Sequence, residues 1–144
     1  MGKIQERENV KWISAVMMGT HFHILFSLHS MSAFNENILM LELERWFAET
    51  LELPMPAFDY PVLCERILSL TQFRHTYKYI YRNPVEASMC NLVEEYPWSS
   101  LRELLRPSGK IVFSDSNSLI QNPYQTLNWL NAAGPDASYG LILG

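Results

Sequence analysis

From Trp12 to Asn35 the chain carries no Asp, Glu, Lys or Arg. An uncharged run of that length either crosses a bilayer or is folded into a domain. His21, His23, His29, Gly19, Asn35 and four serines fall within it, and hydrocarbon does not tolerate so many polar groups without partners. The run is therefore read as internal structure, with no membrane as partner. Its first part, Trp12–Met18, is apolar and β-permissive, Gly19-Thr20 can reverse the chain, and His21–Leu28 alternates. That pattern predicts a β-hairpin. Along its second strand Phe22, Ile24, Phe26 and Leu28 share one face, and His21, His23 and Leu25 share the other.

The rest of the chain reads mainly as helix. Met1–Lys11 is polar and expected to fray, and Ser30–Asn35 is a loop. Glu36–Leu53 has helical spacing, with Leu39, Leu43, Trp46, Phe47 and Leu51 as its apolar stripe, until Pro54 and Pro56 end it. Tyr60–Leu68 is a candidate third strand. Ser69-Leu70-Thr71-Gln72 reads as a capping box opening a helix over Leu70–Arg82. On that helix Leu70, Phe73, Tyr77, Ile80 and Tyr81 cluster as the core face, while Gln72, His75, Tyr79 and Asn83 lie opposite. Pro84 is read as the stop. A short helix, Trp98–Leu105, follows Tyr96-Pro97. The segment from Pro107 onwards is rich in Ser, Asn, Pro and Gly, with one weak helical piece at Tyr124–Asn131. The expected division is a domain over residues 1–106 and a tail over 107–144.

With 144 residues, 48% of them hydrophobic and 18% charged, the chain can bury a core and is not a disordered polymer. Two cysteines, Cys64 and Cys90, make no disulfide framework and are read as small packing groups. With no signal-peptide pattern, a reducing cytoplasm is the expected location. Eleven basic against fifteen acidic residues give a net charge of −4, which does not favour a phosphate-coated partner. The distribution differs from the sum, because between Glu65 and Glu86 there is no acid, and Arg66, Arg74, Lys78 and Arg82 all fall there. They are either a solvated rim of the helix or a phosphate-contacting stripe beside Tyr79.

His21-Phe22-His23 on a strand puts two imidazoles on one face, roughly 7 Å apart by strand rise, able to share one metal ion if a third ligand approaches. Two alternating histidines with no ligand are the plainer reading. Tyr79 and Asn83, four residues apart, stack on one helix face, where a snorkelling tyrosine and a helix-closing asparagine are the plainer reading. His75, one turn earlier, is a candidate supporting group. Trp98 is read as a packing anchor rather than a base-stacking platform. Together, a histidine pair, a tyrosine with an amide and local basic charge suit attack on a phosphodiester. A phenol titrates near 10 and is a weak nucleophile at neutral pH. A cation on the scissile phosphate withdraws charge from phosphorus and orients the group, and the product is a covalent phosphotyrosine.

These residues stand in three blocks: Met18-Gly19-Thr20-His21-Phe22-His23-Ile24-Leu25, Tyr79-Ile80-Tyr81-Arg82-Asn83-Pro84-Val85-Glu86-Ala87, and Tyr96-Pro97-Trp98-Ser99-Ser100. In order and spacing they resemble the HUH-type single-tyrosine transposases, and among them the REP-associated tyrosine transposases, over about residues 10–103. The resemblance implies a ferredoxin-like α+β domain, an antiparallel sheet with helices on one side, incomplete at its N-terminus because the family has a further strand and helix before the segment matching Trp12–Met18. It implies Tyr79 as nucleophile, with Tyr81 the rival, and His21, His23 and Asn83 as ligands of a divalent metal, Mg²⁺ or Mn²⁺. Two imidazoles suit Mn²⁺ or Zn²⁺ better than Mg²⁺. The implied function is a metal-dependent single-stranded DNA transposase or nickase acting on single-stranded or hairpin DNA, with a homodimer left open. The competing expectations are a non-catalytic truncated remnant or DNA-binding module, and a small zinc hydrolase built on His21 and His23.

Overall fold

The structure is a computed structural model that describes residues 10–28, 35–56, 63–105 and 122–134. The hairpin forms as β1 (Val10–Met17) and β2 (Phe22–Leu28), antiparallel, in a two-stranded sheet. A bulge interrupts the ladder, since Trp12 pairs with Phe26 and Ser14 with Leu25, leaving Ile13 as the extra residue. The extra residue inverts the alternation of β1. Val10 and Trp12 therefore face the same side as Ile24 and Phe26, while Val16 shares the opposite side with Leu25. Trp12 is fully buried, with its ring edge-on to Phe26 at 6.0 Å.

Each face of this sheet is covered by its own helix. α1 (Glu36–Leu51) starts on Asn35, whose side-chain oxygen accepts from the backbone N–H of Asn37 and Ile38, and ends at Glu52 in the left-handed region. Its Leu39 and Leu43 pack with Val10 and Trp12, and its Phe47 stacks on Phe22 at 4.9 Å. The side chain of Leu51 lies outside the described residues. α2 (Leu70–Glu86) covers the other face through Tyr77, Ile80 and Tyr81, which pack with Ile13, Val16 and Leu25. The α+β class with an antiparallel sheet is thus present, but helices expected on one side flank both. Both faces of β2 carry large side chains, so both need cover.

α2 departs from expectation at each end. Ser69 Oγ accepts from Gln72 N–H, but the Gln72 side chain reaches one residue too far for a capping box and accepts from Leu68 N–H at 2.9 Å. Leu70, expected on the core face, is exposed. At the other end Pro84 does not stop the helix, which continues to Glu86 with the proline ring buried. Proline removes one N–H from the ladder, and here the helix closes within the next turn. Met89 N–H bonds Pro84 C=O and Ser88 N–H bonds Val85 C=O, with Ser88 at φ 58. This is a Schellman closure with serine where glycine or asparagine is usual. Ser88→Gly should therefore raise stability by about 0.5 kcal/mol, read as a higher urea midpoint at unchanged slope.

The segment expected to be a third strand shows none over Leu63–Leu68, and residues 60–62 lie outside the described residues, as do Met1–Asn9, the loop over 29–34 and most of the 107–144 tail. A different segment lies along β1. Met17 N–H bonds Trp98 C=O and Ser100 N–H bonds Ala15 C=O, making a bridge between Val16 and Ser99 on the edge away from β2. The helix expected at Trp98–Leu105 is accordingly shortened to α3 (Leu101–Leu105), because residues 98–100 spend their backbone groups on β1. Tyr96 fixes this path by donating its hydroxyl to Met17 C=O at 2.7 Å. Trp98, read as an anchor, is 65% exposed.

α4 (Pro123–Asn131) is the weak helical piece of the tail. Asn122 caps it and Pro123 fills its first position. It buries Thr126, Trp129 and Leu130, and the last two join the same core as Tyr77 and Tyr81. Among the described residues no helix is long and apolar enough to cross a membrane.

Candidate metal centre and nucleophile

The hairpin turn and α2 meet at one end of the sheet. Met18 N–H bonds His21 C=O at 2.7 Å and closes the turn that carries Gly19 and Thr20. His21 stands at the exposed mouth of β2, with its Nδ1 3.0 Å from Thr20 Oγ1. His23, two residues on, is half-buried, and the two rings lie 5.0 Å apart, nearly perpendicular. Strand alternation turns both rings towards α2.

α2 supplies the rest. The carboxamide of Asn83 reaches His23, Nδ2 to Nε2 at 2.8 Å, and the ring of Tyr79 sits edge-on to the same imidazole at 5.4 Å. Tyr79 and Asn83 meet one histidine because i and i+4 stack on a helix. Continuation of α2 past Pro84 puts Asn83 inside the helix rather than at a fraying end. Burial, and secondarily the charge of His21, push the His23 imidazole below its ordinary pKa, which favours the neutral ring and its lone pair. With Asn83 Nδ2 donating, that lone pair is on Nε2 and the ring proton on Nδ1. Tyr79 is 56% exposed, open to a large substrate.

His21, His23, Tyr79 and Asn83 thus converge, although His23 and Asn83 stand 60 residues apart in sequence. Two imidazoles and one amide are a donor set that fits a divalent first-row cation. An amide turned over about its last torsion would present Oδ1 beside the same lone pair. Among the described residues there is no group of three His, Cys, Asp or Glu that could hold a metal, so an ion here would depend on the asparagine and on substrate or water.

No protein-family model matches the sequence, and no curated protein matches it. A solved structure does: a REP-associated tyrosine transposase bound to a REP hairpin, with TM-score 0.64 and 18% identity, covering 96% of this chain and 72% of that one. The chain has the fold of that transposase.

In this fold the rival tyrosine, Tyr81, is removed from the surface. Tyr81 is 1% exposed, and its hydroxyl lies 2.9 Å from Ser100 Oγ, which also accepts from Ala15 N–H. Burial first, and then the neighbouring Tyr77, hold its phenol well above the ordinary tyrosine range, so Tyr81 is a neutral core hydroxyl. His75 is exposed one turn before Tyr79.

Three members of the basic row lie against α4. Arg74, Lys78 and Arg82 are spaced by four and line the side of α2 that receives α4. The Arg74 guanidinium stands 5.4 Å from the Trp129 ring centroid and the Lys78 ammonium 5.8 Å, while Tyr77 stacks on the indole at 6.2 Å. Arg82 donates to Asn131 C=O at 2.9 Å and to the carbonyls of Leu130 and Ala132 at the end of α4, and pairs with Glu86. A cation is favoured on an indole face and at a helix C-terminus. Those two sites hold the row against the protein. Of the four, Arg66 is exposed, with its backbone carbonyl accepting from Gln72.

The sequence carried a trace of this arrangement, since Trp129 lies in the one helical piece of the tail. Nothing in the spacing of the basic residues distinguishes a stripe facing DNA from a stripe facing an indole. Cys64 and Cys90 are both half-buried, and burial raises both thiols above their ordinary range.

Proposed function

We propose that the chain cleaves and rejoins single-stranded DNA, with Tyr79 as the nucleophile and His21, His23 and Asn83 as the ligands of a divalent metal, Mn²⁺ or Mg²⁺. The observation that carries this reading is the meeting of Tyr79 and Asn83 on His23, which puts the phenol at the donor set. The transposase of the same fold is bound to a hairpin, and that supports hairpin DNA as the partner class.

The site residues divide the work. His23 and Asn83 already face each other across the strand–helix junction, so turning over the amide brings both donors to one point with little other movement. His21, at the exposed rim, leaves the outer side of the set open to a phosphodiester. Tyr79 projects from the helix that carries Asn83, so its hydroxyl and the amide are held at a fixed spacing. When bound, the metal supplies Lewis-acid stabilisation of the phosphate charge. In the reaction a bond forms between Tyr79 Oη and phosphorus, the bond from phosphorus to one sugar oxygen breaks, the phenol loses its proton, and the departing sugar oxygen gains one. Reversal with another DNA hydroxyl rejoins the strand and frees Tyr79.

The test is to incubate the chain with a hairpin oligonucleotide carrying single-stranded flanks and Mn²⁺, then map any covalent product by peptide mass spectrometry. The expected product is a phosphotyrosine on Tyr79. An adduct on another residue, or none under conditions where DNA is bound, overturns the assignment.

A further inference from the structure

A second concavity lies on the reverse side of the strand that carries the histidines. The alternation that turns His21 and His23 towards α2 turns Phe22 and Ile24 the other way, where they line a cavity of about 330 Å³ together with Phe47 and Trp98. A space of this size is at the small end of ligand sites, which run from about 300 Å³ upwards, and suits one flat ring system rather than a packed helix. Its wall is aromatic, Phe22 and Phe47 being stacked at 4.9 Å. Trp98 is 65% exposed at the same opening. The backbone that carries the indole is fixed there, because the Trp98 carbonyl is bonded to Met17 N–H and Ser99 bridges to Val16.

Charge at the rim narrows the class of occupant. Arg102, exposed on α3, and Glu103 both line the cavity. A hydrocarbon ligand gains nothing from either, and a carboxylate works against a bound phosphate. The edge of a nucleobase offers acceptors to a guanidinium and donors to a carboxylate, while its face stacks on an indole. Phe22 stands between the two histidines in the chain, so the cavity and the Tyr79 site are back to back across one strand at the turn end of the hairpin.

We infer that this cavity holds one unpaired nucleobase of the strand whose phosphodiester reaches Tyr79, a reading that rests on the proposed DNA chemistry and adds a specificity site to it. Stacking on Trp98 supplies most of the hold, and Arg102 reads the edge of the base.

The experiment is a binding titration of the wild-type chain without divalent cation, so that no turnover occurs. The probes are a labelled hairpin oligonucleotide with single-stranded flanks and a series in which each flank nucleotide in turn is abasic. One abasic position should weaken binding about tenfold. Trp98→Ala should weaken binding of the intact oligonucleotide about tenfold as well, yet add nothing on that one abasic probe. Trp98→Phe, which keeps a ring, should restore most of the affinity, and an unchanged melting temperature shows that the exposed position leaves the fold intact. Arg102→Gln should shift the preference among bases at the same nucleotide. If Trp98→Ala acts equally on every probe, has no effect, or no oligonucleotide binds, the inference is overturned. The adduct assay separates the two readings: an adduct on Tyr79 without this coupling removes the cavity alone, and coupling without an adduct removes the tyrosine chemistry alone.

Discussion

Tyr79→Phe should lower DNA cleavage and adduct formation by about 10³-fold or more, because no other hydroxyl among the described residues of α2 can replace it at the donor set. Tyr81 is the nearest alternative in sequence, but it is buried and bonded to Ser100. The same substitution should leave the fold and the metal affinity nearly unchanged. It removes one oxygen from an exposed ring, keeps the ring against His23, and belongs with surface changes that alter stability by about 0.5 kcal/mol or less. His23→Ala should do the reverse, weakening Mn²⁺ binding at least about tenfold while leaving the phenol in place. Titrating Mn²⁺ calorimetrically into both variants, alongside the adduct assay, separates nucleophile from ligand. Cleavage that survives Tyr79→Phe but is lost in His21→Ala would mean that water is the attacking group, and would replace the phosphotyrosine with a metal-dependent hydrolase.

The parts of the molecule legible in the sequence are those where a short period meets a single neighbour. His21 and His23 share a face because strands alternate, Tyr79 and Asn83 share one because helices return every fourth residue, and both rules held to the residue. What was not legible depended on partners far along the chain. The bulge at Ile13 reverses the alternation of β1 without any glycine or proline to announce it. Pro84 is a stop by local rule, yet α2 passes through it, because the ring is buried and the Schellman closure bonds its carbonyl. Trp98, in an aromatic and proline-rich stretch, looked like an anchor, but its backbone is committed to β1 and its neighbour Tyr96 is the buried group. Helices were expected on one side, yet the large apolar residues on one face of β2 and the Leu25 row on the other each required cover.

Trp129→Ala should cost about 3–5 kcal/mol, a large part of the 5–15 kcal/mol that holds a domain of this size together. The indole is 5% exposed, stacks on Tyr77, and lies beneath the cations of Arg74 and Lys78. Its loss opens a cavity next to Tyr77 and leaves Lys78, itself nearly buried, without the aromatic face that makes its burial tolerable. Trp129→Phe should cost less, since a smaller ring still offers stacking and a cation–π face. Urea unfolding gives the magnitudes, and hydrogen exchange at the α4 amides should show whether that helix detaches first. A third variant, Arg82→Gln, decides what the basic row is for. If Arg74, Lys78 and Arg82 serve to dock α4, then Arg82→Gln lowers stability, releases the carbonyls of Asn131 and its neighbours, and leaves the salt dependence of DNA binding unchanged. If the row contacts phosphate, Arg82→Gln flattens the dependence of affinity on salt by about one counterion. In the docking case, detaching α4 with Trp129→Ala exposes three cations on α2 and steepens that dependence, so a mutation that destabilises the chain strengthens its non-specific hold on DNA at low salt.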